Sequence, residues 1–400
     1  MAENKTLDQL YKEVNKKCST TTRDGNIIPA ISIGRGDIGL AGTLSFGTPG
    51  LDYCIYNSFP EGRFVSIIGK EGSGKSSIAC MLAANFQKKE LERHSDNPRK
   101  ILYADLEMTL DPEWAIKMGY DATESAKVQT VYFTPMDLPA EQILDIIRDF
   151  IRTDEIGLVI IDSLPMLTGQ QTYDESFEKK DMGGIAKILK EFTSRTTSLL
   201  KMHNCTVVGI NAARPNMDPY GPPIVEPGGT QWKLACSLRL MIKRGEFVDE
   251  EGNTLKSSAE SPAGYRLEMA VLKNKISRWD RKLGSTLLNY VSGIDYIQDT
   301  IDVAIKLGLI DNSIQGTFKL VDADTKEVLL DEEGNELKIR GRKNIKPWFK
   351  GHPTEFQKLY NKVYEIISVK DTTNLQQFES LMNSKETTIE ASEVDSLSIE

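Results

Sequence analysis

Short apolar runs alternate along this chain with longer stretches in which apolar residues recur every three or four positions. The runs at 64–68, 101–104, 158–161 and 206–210 predict buried strands, and the stretches 140–152 and 185–202 predict helices between them. Apolar strands alternating with helices predict an α/β fold with a doubly wound, mostly parallel sheet. The runs 238–242 and 267–272 follow one another with only the charged stretch 243–261 between, which predicts an antiparallel hairpin extending that sheet. Near the start, Thr6-Leu7-Asp8-Gln9 reads as a capping box, and Leu7, Leu10, Tyr11 and Val14 recur at helical spacing behind it. That apolar stripe packs on its own domain or on a neighbouring subunit; the sequence does not decide. Residues 19–47 read as linker and turns.

The last hundred residues have a different texture. An amphipathic helix is predicted at 301–309, followed by a polar hairpin at 316–338 carrying the turn signal Asp331-Glu332-Glu333-Gly334-Asn335. Residues 340–350 are basic and aromatic. From Asp371 the chain turns polar, and after Lys385 it holds Glu386, Glu390, Glu393, Asp395 and Glu400 with no lysine or arginine, the pattern of a disordered acidic tail.

Composition narrows the class. The 400 residues can hold a main domain and one or two small ones, and 40% hydrophobic with 27% charged residues is ordinary for a soluble protein. The polar start and the lack of a bilayer-spanning apolar run predict a cytoplasmic protein with no membrane contact. Cys80, Cys205 and Cys236 lie in apolar surroundings, and neither they nor Cys18 and Cys54 form a C-x-x-C pair, so buried free thiols are expected. Three scattered histidines argue against a dedicated zinc site. A net charge of -9 excludes a chain basic all over, but not a basic groove in an acidic protein.

The chemistry centres on Gly69-Lys70-Glu71-Gly72-Ser73-Gly74-Lys75-Ser76-Ser77, which fits the phosphate-binding pattern G-x-x-x-x-G-K-[ST] between a predicted strand and a predicted helix. The glycines let the backbone curl so that its N–H groups point inward, and the helix start adds free N–H groups and a positive dipole end. Lys75 would reach the β/γ-phosphates and the Ser76 hydroxyl would ligate Mg2+. Val159-Ile160-Ile161-Asp162-Ser163 is an apolar strand ending in a carboxylate, the usual partner of such a loop in holding Mg2+. Asp105 and Glu107 stand just past another strand, and Glu107 is the candidate to polarise an attacking water. Asp111-Pro112 suits a helix N-cap. Trp114 either stacks on a base or is an ordinary half-buried surface tryptophan.

With these pieces in place, the chain resembles the RecA family of DNA recombinases, in its bacterial and phage branches. Phe46-Gly47-Thr48-Pro49-Gly50-Leu51-Asp52 looks like the turn that precedes the family's phosphate loop. Asp105 to Pro112 is similar to its D-x-E-x-x-x-D-P, in which the glutamate activates water. Trp114 falls where the family has an adenine-stacking tyrosine, beside Asp111 and Asn211 in the nucleotide site. Lys273-Asn274-Lys275 resembles its K-N-K, whose lysines reach the ATP of the neighbouring subunit; read alone, it is a solvated strand end. Asp181 to Lys187 is similar to the end of the first DNA-binding loop, which implies DNA contact by Met182, Gly183, Gly184 and Lys187. Residues 211–229, with five prolines, cannot form a regular element and resemble the second loop. The implied DNA contacts there are Arg214, Tyr220, Ile224, Gly228 and Gly229, with Tyr220 or Ile224 entering the base stack. Arg340, Arg342, Lys343, Lys346 and Lys350 resemble the duplex-gathering face of a small C-terminal domain; the other reading is a charged surface turn around a buried tryptophan.

The resemblance implies an N-terminal oligomerisation helix and linker (1–34), a RecA-like ATPase core (35–290) with DNA loops at about 168–183 and 212–228, a C-terminal α+β domain (291–370) and an acidic tail (371–400). It implies a DNA-dependent ATPase using ATP and Mg2+. The protein would form a helical homo-oligomer on single-stranded DNA, pair it with double-stranded DNA, and work with a single-strand-binding protein and a loader in a bacterial or phage-infected cell. The chain departs from the family where Ala212 replaces a glutamine that senses the γ-phosphate, because an alanine cannot hydrogen-bond phosphate. Either Asn211 takes that role or the coupling works differently. Arg195 stands slightly out of register with the expected first-loop basic residue. A ring-forming ATPase of the helicase or clock type and a non-hydrolysing recombination mediator are the alternatives.

Overall fold

The structure is a computed structural model, and it describes residues 6–21, 25, 27–31, 43–170, 184–216, 220, 224–250, 252–277, 281–322, 325–330 and 333–368. The predicted Met182 and Gly183 and the acidic tail lie outside these residues.

The predicted strands form one sheet. In chain order its strands are β1 (Phe64–Gly69), β2 (Lys100–Asp105), β3 (Thr130–Phe133), β4 (Ile156–Asp162), β5 (Thr206–Ala212), β6 (Leu238–Val248), β7 (Gly264–Asn274), β8 (Leu283–Asn289) and β9 (Gly293–Ile294). In space the order is β9-β8-β7-β6-β1-β5-β4-β2-β3. From β6 to β3 all neighbours are parallel; β6 to β9 pair antiparallel. Every residue of β1 and β4 is buried, as expected of strands covered on both faces.

Helices close both faces. α2 (Lys75–Arg93) and α3 (Pro112–Lys117) lie over one cluster, where Ile78, Leu82 and Phe86 meet Ile67, Tyr103 and Leu240. α4 (Ala140–Arg152), α5 (Gly184–Met202) and α6 (Gly229–Ala235) cover the other. In α4, Ala140, Ile143, Leu144, Ile147 and Ile151 are buried, the three-and-four spacing of a core-facing stripe. Ahead of the sheet, α1 (Leu7–Cys18) carries the predicted capping box: Thr6 Oγ1 accepts from Gln9 N, and Gln9 Oε1 accepts from Thr6 N. None of the α1 residues is buried.

A third apolar cluster joins α7 (Tyr296–Lys306), α8 (Ile345–Gly351), α9 (Pro353–Ser368) and a three-stranded sheet of β10 (Ile310–Asp311), β11 (Thr317–Leu320) and β12 (Lys338–Arg340). Its α7 begins five residues earlier than the apolar spacing predicts, because Asp295 caps it by accepting from Gln298 N. The stretch 243–261 is not all turn. β6 runs on to Val248, since Phe247 pairs with Tyr265 and Val248 with Gly264 beyond a register shift. Four of the five cysteines are buried and Cys18 is exposed.

Candidate functional site

The phosphate loop leaves β1 at Gly69 and enters α2 at Lys75. Gly72 and Gly74 have φ of +66° and +90°, so both need the left-handed freedom of glycine. A Cβ on Gly74 would stand 2.7 Å from the Tyr265 hydroxyl, so the loop is seated directly on β7. The Lys75 ammonium donates to the Lys70 carbonyl at 2.8 Å, while Lys70 and Glu71 are exposed. Partial burial pulls the Lys75 pKa below the ordinary lysine value, opposed by the carboxylates of Asp162, Glu107 and Glu71. Ser73 Oγ is buried without a partner among the described residues, under the arch of the loop.

Parallel strands deliver the acids to this same edge. Asp105 ends β2 opposite Asp162 at the end of β4. Ser76 Oγ donates to Asp162 Oδ2 at 2.8 Å, and the Tyr103 hydroxyl donates to the same oxygen at 3.0 Å. Burial pushes the Asp162 carboxyl upward; the bonds from Ser76 and Tyr103 oppose this, and the charges of Glu107 and Asp105 add to it. Glu107 is exposed and accepts from Ser163 Oγ, while Leu106 N and Glu107 N both donate to the Asp162 carbonyl, at 2.7 and 3.3 Å. Asp105 folds the intervening turn by accepting from Thr109 N and Leu110 N at 3.3 and 3.1 Å. Among the described residues no group of three or more His, Cys, Asp or Glu side chains is arranged to hold a metal. The Ser76 hydroxyl and the Asp162 carboxylate are hard oxygen donors of the kind that a divalent cation such as Mg2+ can take together with water.

Asp111 caps α3 by accepting from Glu113 N and Trp114 N. Trp114 is part-buried against the α2 cluster, and its indole N–H donates to Ser77 Oγ at 2.9 Å, so it is tied to the phosphate loop rather than left as a loose surface ring. Asn211 is fully buried: its Nδ2 donates to the Pro227 carbonyl at 2.8 Å and its Oδ1 accepts from Ala212 N at 2.9 Å. Each end of its amide thus has one backbone partner, and a second N–H and a second lone pair remain to it.

The predicted second loop has more order at its base than its prolines imply. Arg214–Pro215 and Ile224–Val225 pair as a short antiparallel ribbon, with Arg214 opposite Val225. Two-residue edge pairing tolerates a proline that a central strand would not. Arg214, Ile224 and Tyr220 are exposed, Tyr220 at 99%. Gly228 and Gly229 have φ of +96° and +76°, and a Cβ on Gly229 would stand 2.7 Å from Ala186 Cβ, so the helix after the second loop packs closely on the one after the first. Gly184 is half-buried and Lys187 exposed at the start of α5. Arg195 pairs with Glu191 at 3.5 Å.

Lys273 and Lys275 sit at the end of β7, on the far side of β6 from the phosphate loop's own strand; Lys273 donates to the carbonyls of Lys233 and Leu234 at 2.7 and 3.0 Å. The basic C-terminal residues divide. Arg340 and Lys343 are exposed, whereas Lys346 forms an ion pair with Asp295, and Arg342 lies 3.5 Å from Asp302. Trp348 is part-buried and stacks on His352 at 4.2 Å between centroids.

Tyr103 and Tyr265 were not expected at the site, and Ser163 was expected beside Asp162 but not as a donor to Glu107. Alternation along β2 could have placed Tyr103 on the face of Asp105; contacts of Ser163 and Tyr265 depend on strand ends meeting in space.

Residues 20–295 match the RecA N-terminal domain family. The RecA protein of Sulfurovum sp. (strain NBC37-1) is 29% identical over 315 residues, 77% of this chain and 81% of that protein. The RecA protein of a Nitratiruptor species is 27% identical over 368 residues, covering 92% and 93%. The RecA protein of Rickettsia prowazekii (strain Madrid E) is 28% identical over 340 residues, covering 84% and 88%. The crystal structure of the RadB recombinase aligns with 63% of this chain and 98% of its own, with a TM-score of 0.45 and 17% identity. Among the described residues no helix is long and apolar enough to cross a membrane.

Proposed function

Because this chain belongs to the RecA family and is a recombination and repair protein of that type, we propose that it hydrolyses ATP in a DNA-dependent manner, assembles as a helical filament on single-stranded DNA and exchanges that strand with a homologous duplex. The observation that carries this reading is the clasp of Ser76 on Asp162 beside Lys75, with Glu107 at the same sheet edge. An anion at the loop would be held by backbone N–H groups of 70–75 and the dipole of α2, with the Lys75 ammonium turning from the Lys70 carbonyl to phosphate oxygens. Ser76 and Asp162 would hold Mg2+, which when bound supplies positive charge to the β- and γ-phosphate oxygens. Glu107 is exposed where a water would approach and acts as the group that orients and polarises it. Trp114 offers its face to adenine, fixed by its bond to Ser77.

In this reading Lys273 and Lys275 complete the site of the next subunit. Exposed Tyr220, with Arg214, Ile224 and Lys187, contacts single-stranded DNA. The chain's C-terminal elements gather duplex through Arg340 and Lys343. A single-strand-binding protein and a loader are the expected protein partners, and the cytoplasm is the expected site of action.

The test is ATP turnover with and without single-stranded DNA, paired with negative-stain electron microscopy in a non-hydrolysable ATP analogue. DNA-stimulated turnover that Lys75→Ala abolishes, and open helical filaments that require the analogue, are the expected results. Turnover unchanged in Lys75→Ala, or closed rings in place of open filaments, would overturn the reading.

A further inference from the structure

Directly after the ribbon strand Ile224–Val225 stands Glu226, whose side chain is only 6% exposed. One of its oxygens pairs with Arg239 and lies 3.5 Å from Lys233 Nζ. Its other oxygen, and Arg239 Nε, are buried with no hydrogen-bond partner among the described residues. Arg239 is the cross-strand partner of Lys273 in the β6–β7 ladder, and Lys273 reaches back to the carbonyls of Lys233 and Leu234. Burial raises the Cys236 thiol, with Lys273, Arg239 and Lys275 opposing the rise and Glu226 adding to it. One buried carboxylate thus meets Arg239 and Lys233 at the edge of a group of cations that Lys273 extends through its pairing with Arg239. Their mutual repulsion registers at Lys273, whose pKa falls below the ordinary lysine value through burial first and then through Lys275 and Arg239.

A buried carboxylate with one unpaired oxygen is an incomplete partner for such a group. A polyphosphate brings more charge and more acceptor oxygens, and Arg and Lys together suit it well. We propose that Glu226 is a resident counter-anion of Arg239 and Lys233, from which Arg239 is drawn away when the phosphates of a nucleotide presented by a neighbouring subunit gather Lys273, Lys275 and Arg239. This rests on the reading that those lysines face the neighbour's nucleotide. While Glu226 holds Arg239, the base of the second loop is anchored to β6. When phosphate takes the cations, that anchor is released and the ribbon bearing Arg214 and Ile224 is free to engage DNA. Glu226 is then a positioning residue that links nucleotide to DNA, a link Ala212 cannot make because it has no polar side chain.

The experiment titrates a non-hydrolysable ATP analogue against binding of a fluorescent single-stranded oligonucleotide by the full-length protein, Glu226→Gln and Arg239→Lys. Glu226→Gln removes the competing charge, so the analogue concentration at half-maximal DNA binding should fall, on the order of five-fold. Arg239→Lys keeps the charge of the group but loses the guanidinium N–H that reaches Glu226, so the midpoint should fall by a smaller factor; it carries the test if Glu226→Gln does not fold. Midpoints equal to or above that of the parent in both folded variants would overturn the proposal. Failure of the parent itself to need the analogue would instead overturn the reading it rests on.

Discussion

The backbone N–H of Ala213 donates to the carbonyl of Gly69 at 3.0 Å. One bond thereby joins the first residue of the phosphate loop to the start of the ribbon that bears Arg214. Gly69 also pairs with Ala212 in the β1–β5 ladder, so the two chains leave the sheet side by side. A Cβ on Gly69 would stand 2.4 Å from Ser73 Oγ and 2.7 Å from the Ile242 carbonyl, and backbone on that side cannot step aside. Gly69→Ala should therefore cost about 1–3 kcal/mol of stability, the range for overpacking, and weaken nucleotide binding with it. Thermal melts with and without an ATP analogue check this: the variant should melt lower and gain less from the analogue than the parent.

Substitution of Glu107 should separate binding from turnover. The residue is exposed, it accepts from Ser163 Oγ, and it has no bond to the phosphate loop. Glu107→Gln keeps that acceptor while removing the base, so ATP turnover should fall by roughly 10²- to 10⁴-fold with nucleotide affinity retained. Single-turnover kinetics beside equilibrium binding of the analogue separate the two quantities. A variant that loses affinity and turnover in equal measure would remove Glu107 from the water-polarising role.

Much of this site was legible in the residue order, for a physical reason. A phosphate loop needs its groups within a few residues of one another, so Gly69 to Ser77 is a local pattern. Parallel strands bring their C-terminal ends to one edge, so an acid after each apolar run can be placed from spacing alone, as for Asp105 and Asp162. What escaped depends on contacts between distant segments. β8 is held by pairing with β7, and β9 by pairing with β8, rather than by a strong apolar run, and Leu283 in β8 is itself exposed. The engagement of Asn211 with Pro227, and of Lys346 with Asp295, carries no signature in either residue's neighbours along the chain.

The basic C-terminal turn should therefore behave unevenly. Arg340 and Lys343 are exposed, so each alanine variant should weaken duplex DNA binding uniformly across sequences and lower the salt slope by about 1. Lys346 holds the residue that caps α7, so Lys346→Ala should chiefly lower the melting temperature. Duplex affinity measured at several salt concentrations, with melts of the same preparations, distinguishes the two classes. An unchanged melt together with a reduced salt slope for Lys346→Ala would return it to the DNA-contacting set.

Two buried carboxylates give the fold a pH dependence. Asp299 on α7 accepts from Thr48 Oγ1 and, at 2.8 Å, from Gly50 N; Asp52 accepts from Phe46 N and the Tyr364 hydroxyl of α9, both at 2.9 Å. Burial raises Asp299 to about 7 and Asp52 to about 6, with the hydrogen bonds opposing it and Asp302 adding to the rise at Asp299. Since both folded values exceed the ordinary carboxyl value of 3.8, the folded state binds these protons more tightly than the unfolded chain. Their contribution to stability is full below that ordinary value and is lost as pH rises toward 7. Asp299→Asn keeps an acceptor for Gly50 but does not ionise. Melting temperatures from pH 5 to 8 should fall less with rising pH in Asp299→Asn than in the parent, and parallel curves would show that Asp299 does not titrate in that window.

α1 supplies the sharpest separation of folding from assembly. Leu7 and Leu10 are 78% and 44% exposed, and no residue of the helix is buried. Its capping box closes the start of the helix, and among the described residues Leu7 and Leu10 stay exposed while Tyr11 and Val14 are half-buried. Covering that apolar stripe on a neighbour would bury two leucines at every junction of a filament, worth about 2 kcal/mol each. Leu7→Ser with Leu10→Ser should thus leave the melting temperature of the subunit where it is while shifting assembly to concentrations more than about 100-fold higher. Sedimentation across a concentration series, with DNA and the ATP analogue present, reads the second quantity. Assembly at the parent's concentration would show that the stripe is not a subunit contact; a lowered melt would show that it packs on its own domain, the other reading its spacing allowed.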